Sequence, residues 1–349
     1  MRSRRCSLIL GGGGIRGLAH VGVLAALEEH HLAPAEIIGS SVGAMIGAAW
    51  CAGVSSDELR QIALQLERED LFRLAHGDMA RHRLRSPSIY RPEPLAAFVR
   101  GLLGTMTFDD LDHPLLVNTV DINTGAQVFW GTPGLRDLPV ADAVIASCAL
   151  PGFLPPHRIG DRYFVDGAAA ANLPVHPASR PDRDLVIAVD VSARARPGRA
   201  VHRMGFAAVF ARGIELGVQR MDDIALRAWT RPPLLLIRPA VWHVDLLSFR
   251  HNAELVDAGH RATHTVLDAP NAVPAPDAVG VYPQRRVRVE VVRDRCIGCG
   301  ACVLAGPPGQ FRMDGAGKAV VTDPTPVWSP VDGNCVTQCP TSAIAATEF

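Results

Sequence analysis

Glu36-Ile37-Ile38-Gly39-Ser40-Ser41-Val42-Gly43 runs from an apolar segment through a turn of small residues into an Ala/Gly-rich stretch that lasts to Val54. An apolar strand before G-x-S-x-G and a helix after it are the setting in which a serine is held exposed on a sharp turn. Gly39 and Gly43 leave room for that turn, and their spacing selects Ser41 over its neighbour Ser40 as candidate nucleophile. The apolar residues from Ile37 to Val54 are therefore read as strand plus buried helix. Their Gly, Ala and Ser content argues against a membrane span.

Upstream, Ser7-Leu8-Ile9-Leu10 reads as a strand, followed by Gly11-Gly12-Gly13-Gly14-Ile15-Arg16-Gly17 and a helical pattern from Leu18 to His30. Downstream, strands are predicted at Leu115 to Val120, Asp184 to Val191 and Leu234 to Ile237, with helices around Val201 to Trp229 and Leu247 to Thr265. Strands alternating with helices predict an α/β fold, a three-layer α/β/α sandwich with a mostly parallel sheet. From Ser55 to Leu111 the pattern is mainly helical, with Leu95, Phe98, Val99, Leu102 and Leu103 on one face. That face is read as core packing, with a cap over a site as the alternative.

The glycine-rich loop lies between a strand and a helix, so its N–H groups, backed by the helix dipole, can converge on a developing oxyanion. A phosphate-binding loop is the rival reading. It lacks the following Lys-Ser/Thr, and no acidic residue ends the second strand.

A third element is Tyr163-Phe164-Val165-Asp166-Gly167-Ala168, preceded by Ala146-Ser147-Cys148-Ala149-Leu150-Pro151. Glycine-rich loop, G-x-S-x-G, A-S-x-A-x-P and D-G-A, in that order, resemble the patatin-like phospholipase and lipid acyl hydrolase family over about residues 7–268. The resemblance implies cleavage of lipid acyl esters by a Ser-Asp dyad without histidine and without a cofactor. It makes Ser41 the nucleophile, Asp166 its base, and Gly12, Gly13 and Gly14 the oxyanion donors, with Arg16 positioning the loop. Ala168 and the Ser40-Ser41-Val42 triplet depart from the commoner family residues. A carboxylate replaces histidine as base only if desolvation raises its pKa or if it chiefly orients the hydroxyl. His20, His113, His157 and His176 lie near these motifs, and none has a motif of its own.

Lys plus Arg and Asp plus Glu both number 35 in the 349-residue chain, so no net field draws it to nucleic acid or to an anionic membrane. Any such attraction is local. Arg73, Arg81, Arg83, Arg85 and Arg91 form a basic stretch that suits anionic lipid, or a solvated face. At the N-terminus, Gly11 to Gly14 break the apolar run too early for a signal peptide. The expectation is a cytoplasmic protein, with transient contact at a membrane surface.

Residues 269–285 are Pro-rich and are read as a linker between a first domain, 1–268, and a second, 286–349. Five of the eight cysteines crowd into this second part. Cys296, Cys299 and Cys302 give C-x2-C-x2-C, and Cys339-Pro340 supplies the remote fourth thiol, the spacing of a cubane iron-sulfur site. Zinc sites more often pair two close C-x2-C units. The segment resembles bacterial single-cluster ferredoxins, which implies a small α+β domain with one 4Fe-4S cluster and a redox partner. Cys335 is read as a spare thiol.

Two functions follow as expectations. One is a lipid acyl hydrolase whose cluster domain transfers electrons or senses redox state. The alternative is an acyltransferase or acyl-binding domain fused to a ferredoxin that feeds a partner oxidase.

Overall fold

The computed structural model describes residues 5–75, 88–192, 205–270 and 272–349. Strand β1 (Cys6–Leu10) is buried along its whole length. A 3-10 turn (Gly14–Leu18) follows and leads into α1 (Ala19–Glu29). Then come β2 (Glu36–Ser40) and α2 (Val42–Cys51), with Ser41 between them. Leu8, Leu10 and Ile37 pack into the larger core on one side of the sheet; Ile9 and Ile38 pack into a second core on the other. Burial on both faces is why these strands read as unbroken apolar runs.

Three helices, α3 (Ser56–Gln65), α4 (Arg68–Leu71) and α5 (Glu93–Leu103), precede β3 (Leu115–Asp121) and β4 (Gln127–Trp130). On α5, Leu95, Val99 and Leu103 are buried in the larger core and Phe98 and Leu102 pack against it, so this face is a core face, as read from its pattern. The chain continues through α6 (Val140–Ser147), β5 (His157–Ile159), β6 (Arg162–Asp166) and β7 (Leu185–Val189). Then follow α7 (Phe206–Arg227), β8 (Leu234–Ile237), α8 (Asn252–Leu267) and β9 (Val281–Tyr282). The sheet runs β5-β6-β3-β2-β1-β7-β8-β9, with β4 also paired to β3. Strands β3, β2, β1, β7, β8 and β9 are mutually parallel, and β4, β5 and β6 close one edge in antiparallel pairing.

Two expectations shift, and a third falls partly outside the described residues. The predicted linker contains β9, which extends the large sheet beside β8. Helix α8 begins at Asn252, not Leu247, because the residues before it form turns that lay Leu247 and Phe249 on the core. Of the basic stretch, Arg81, Arg83 and Arg85 lie outside the described residues, as does Val201 at the head of the predicted long helix.

Helices α1 and α8 touch backbone to backbone. A Cβ on Gly22 would come 1.9 Å from the Val256 carbonyl, and one on Gly259 1.8 Å from that of Ala19, so neither position accepts a larger residue.

The C-terminal unit pairs β10 (Arg285–Val291) with β13 (Val327–Trp328) and β14 (Ile344–Glu348). It adds a hairpin of β11 (Phe311–Met313) and β12 (Ala319–Val321) and two short helices, α9 (Ala301–Ala305) and α10 (Asn334–Thr337). It docks on the first unit mainly through α7. Arg227 donates to the Ala305 carbonyl at 2.7 Å, Asn334 to Asp223 at 3.2 Å, and Arg238 to the Pro330 carbonyl at 2.9 Å. Val331 joins the second core of the large sheet. Among the described residues, no helix is long and apolar enough to cross a membrane.

Candidate active site and cluster site

Ser41 sits between the last residue of β2 and the first of α2 at φ +54°, a conformation that L-residues rarely adopt outside tight functional turns. Its hydroxyl neighbours both the Asp166 carboxylate and the Cys148 thiol and pulls the pKa of each down against burial. Asp166 ends β6, is 2% exposed, and accepts the Ala168 N–H at 2.9 Å. Burial pushes its carboxyl up to about 6, against the opposing pull of the Ala168 N–H and the Ser41 hydroxyl. Burial and the charge of Asp166 push the Cys148 thiol well above its ordinary range, so it stands beside Ser41 and Asp166 as a neutral group.

The amide of Ser41 is already engaged: it donates to Ser147 Oγ at 2.8 Å, and that hydroxyl donates to the Asn118 carbonyl at 2.7 Å. The serine of A-S-x-A-x-P thus braces the backbone of Ser41. Ser40 is wholly buried in β2 with its Oγ 3.5 Å from Asn118 Nδ2, which removes it from the site.

The glycine-rich loop passes directly over Ser41, since a Cβ on Gly12 would lie 3.1 Å from Ser41 Cβ and 2.5 Å from Asn172 Oδ1. The loop amides differ in their engagement. The Gly12 N–H points to the Asn172 carbonyl at 3.2 Å, because the loop is stitched to the segment that follows Asp166. Gly11 and Ile15 likewise donate to Val189 and Leu246. Among the described residues the N–H groups of Gly13 and Gly14 make no hydrogen bond; in the first turn of α2 those of Ala44 and Met45 donate to the Ser41 carbonyl at 2.9 and 3.1 Å, and those of Val42 and Gly43 have no acceptor. Arg16 is 5% exposed and pairs with Glu215 of α7 at 3.4 Å, tying the loop to that helix.

The four histidines near the motifs are placed elsewhere. His20 is fully buried with Nε2 2.8 Å from the Gly11 carbonyl, and burial lowers its pKa to about 4, so it supports the loop as a neutral ring. His113 stacks on Trp50 at 4.6 Å and His157 faces Asp142 at 3.4 Å. His176 opens a short 3-10 turn. Sequence reasoning missed Asn118 and Asn172, lone polar residues that only the register of β3 and the path after β6 bring under the site.

In the C-terminal unit, Cys296, Cys299, Cys302 and Cys339 line one small cavity together with Ile297 and Thr341. The Ala319 N–H donates to Cys296 Sγ at 3.4 Å and the Ala343 N–H to Cys339 Sγ at 3.2 Å, contacts that favour thiolate charge. At Cys339, burial raises the thiol, and the amides of Ala343 and Thr341 outweigh it, leaving the group below its ordinary range. Four converging sulfurs with amide donors fit a cubane cluster. Cys335 does not line that cavity; its thiol is 1% exposed and faces the Asp332 carbonyl at 3.6 Å.

Residues 8–179 match the family model described as patatin-like phospholipase, and residues 287–345 match the 4Fe-4S single cluster domain. An uncharacterized NTE family protein of Mycobacterium tuberculosis is 34% identical over 198 residues, 56% of this chain and 52% of that protein. A cGAMP-activated phospholipase of Vibrio cholerae is 32% identical over 193 residues, 48% of this chain and 54% of that protein. The chain spans about half the length of these curated relatives. Among solved structures, VipD from Legionella pneumophila shares the fold, with a TM-score of 0.50 at 16% identity over 76% of this chain and 67% of that one.

Proposed function

We propose, for a chain that carries a patatin-like phospholipase domain followed by a 4Fe-4S single cluster domain, that it hydrolyses acyl esters of lipids at Ser41 with Asp166 as base. The observation that carries this reading is the placement of the Ser41 hydroxyl beside a buried carboxylate, Asp166, whose pKa is raised to about 6. Ser41 Oγ attacks the acyl carbonyl carbon while its proton passes to Asp166. The oxyanion is met by the N–H groups of Gly13 and Gly14, and removing one such donor typically costs about 3 kcal/mol of barrier. Collapse of the adduct forms the acyl-serine ester, and the leaving alcohol takes the proton from Asp166. Water then attacks the ester, giving its proton to Asp166, and the free acid leaves with Ser41 restored.

A fluorophosphonate probe is expected to label the wild-type chain at Ser41 and to leave Ser41→Ala unlabelled. Full labelling of that variant would remove the nucleophile assignment.

The lipid part of the reading rests on α7, which leaves a row of apolar side chains exposed. Asp222 and Asp223 are buried there together with Leu226, whereas Ile214, Met221 and Ile224 recur at helical spacing and are 49%, 38% and 57% exposed. Arg220 is exposed among them. An apolar helix face bearing a basic residue suits an anionic bilayer surface, and the Arg16–Glu215 pair sets this helix against the glycine-rich loop. Joint replacement Ile214→Ser and Ile224→Ser is expected to slow hydrolysis of phosphatidylglycerol vesicles at least tenfold and to leave a soluble short-chain ester unaffected. Equal loss on both substrates would reject the bilayer contact.

For the second domain we propose Cys296, Cys299, Cys302 and Cys339 as cluster ligands. When bound, such a cluster supplies one-electron redox chemistry, which ester hydrolysis does not use. The domain therefore acts beside the hydrolytic steps, as an electron carrier for a partner or as a redox sensor.

A further inference from the structure

His260 and His264 lie four residues apart on α8, so both imidazoles leave the same face of the helix. That face meets the C-terminal end of α1, held close by the backbone contact at Gly22 and Gly259. There the two carboxylate oxygens of Glu29 divide between them: Oε1 lies 3.0 Å from His260 Nε2 and Oε2 2.8 Å from His264 Nε2. The other ring nitrogen of His264, Nδ1, stands 3.1 Å from His30 Nε2 and 3.5 Å from Asp268 Oδ2. The ligand atoms of Glu29, His260 and His264 all lie within 4.8 Å of one another.

We propose that Glu29, His260 and His264 form a binding site for a divalent transition-metal ion of the zinc type, with both Nε2 atoms and the Glu29 carboxylate as ligands. Two imidazoles and one carboxylate are a borderline donor set that suits zinc, cobalt, nickel or copper and is a poor match for magnesium or calcium. Three protein ligands leave a fourth position to water. Asp268 and His30 stand behind His264 at Nδ1, where a hydrogen-bond acceptor fixes the tautomer that turns the Nε2 lone pair toward the ion. Ligand bonds of about 2.0–2.1 Å in a tetrahedron require donors roughly 3.3 Å apart. The Glu29 oxygens now stand 3.0 and 2.8 Å from the two Nε2 atoms and all three ligand atoms lie within 4.8 Å of one another, so small side-chain rotations of the exposed Glu29 and of the two imidazoles bring them to that spacing.

The site is remote from the ester chemistry. The eleven residues of α1 span about 16 Å from Ala19, beside the glycine-rich loop, to Glu29. An ion there would clamp α1 to α8 and stabilise the first domain by linkage, since the unfolded chain does not assemble the site.

The test uses the full chain, purified anaerobically with its iron intact, and titrates it with Zn²⁺ alone by calorimetry while iron content is followed. One equivalent of Zn²⁺ is expected to bind without release of iron and to raise Tm. Affinity is expected to fall at least tenfold in His264→Ala and in Glu29→Gln, the latter a surface change that leaves the fold intact. Iron content and hydrolysis of a soluble ester are expected to stay at wild-type level in Glu29→Gln. Zinc uptake matched by iron loss, or equal affinity in wild type and Glu29→Gln, would overturn the proposal, as would the absence of binding in the wild type.

Discussion

Asp166→Asn is expected to cut hydrolysis by about 10²–10⁴-fold while making the fold more stable. The two effects share one cause. Burial raises the Asp166 pKa from 3.8 to about 6. A carboxyl whose folded pKa lies above its unfolded value binds its proton more tightly in the folded state, so stability falls as pH rises through the window from about 4 to about 6. Above that window the full penalty is present, and two pKa units correspond to about 3 kcal/mol. Asparagine carries no charge, still accepts the Ala168 N–H, and offers its amide to the Ser41 oxygen, so most of this penalty is expected to return as stability at neutral pH. Chemical denaturation at neutral and at acid pH measures it: the gain shrinks toward pH 4. In wild type, kcat/KM for a soluble ester is expected to rise through pH of about 6 as the base ionises, and in the variant this step disappears. His20, with a pKa of about 4, titrates well below the step near pH 6 and cannot produce it. A variant that loses stability, or keeps the pH step, would show that Asp166 is not the base.

The legible part of this molecule was local. Strand-turn-helix at Ser41, the glycine-rich loop and the D-G-A corner each occupy a few consecutive residues, and their geometry follows from short-range constraints on turns and strand ends. The engagement of each loop amide was not legible, because it depends on which distant carbonyl arrives. Gly12 loses its N–H to Asn172, which is 160 residues away in sequence, whereas Gly13 and Gly14 keep theirs. The bracing of Ser41 by Ser147 and Asn118 likewise needs the pairing of β2 with β3 and the docking of α6. In the cysteine region the spacing carried more, since four thiols at set intervals constrain the fold as strongly as they constrain the ligand. Strand β9 was hidden because two residues in a proline-rich stretch carry no periodicity, and only the exposed edge of β8 gives them a partner.

Replacing Cys302 or Cys339 with Ser is expected to reduce bound iron from four atoms per cluster to less than one per chain and to open the C-terminal unit to proteolysis, whereas Cys335→Ser keeps its iron. The unit's own core is small, and a domain of this size leans on its metal site for folding. Iron assay and limited proteolysis under anaerobic conditions check both statements, and iron loss in Cys335→Ser with retention in Cys339→Ser would reverse the ligand assignment. The consequence for the first domain follows from α7. Its C-terminal end holds the carbonyl of Ala305, on the helix that carries Cys302, and Asp223 holds Asn334 beside Cys335. Its middle holds Arg16 through Glu215, and Asp222 accepts the Leu173 N–H one residue after Asn172. Loosening the cluster unit therefore frees one end of a helix whose other contacts steady the glycine-rich loop. Because the dyad itself uses no electron, hydrolysis of a soluble ester is expected to fall by less than tenfold in Cys339→Ser, a loss of positioning. A fall as large as that of Asp166→Asn would mean that the cluster takes a direct part in the ester chemistry, contrary to the dyad mechanism.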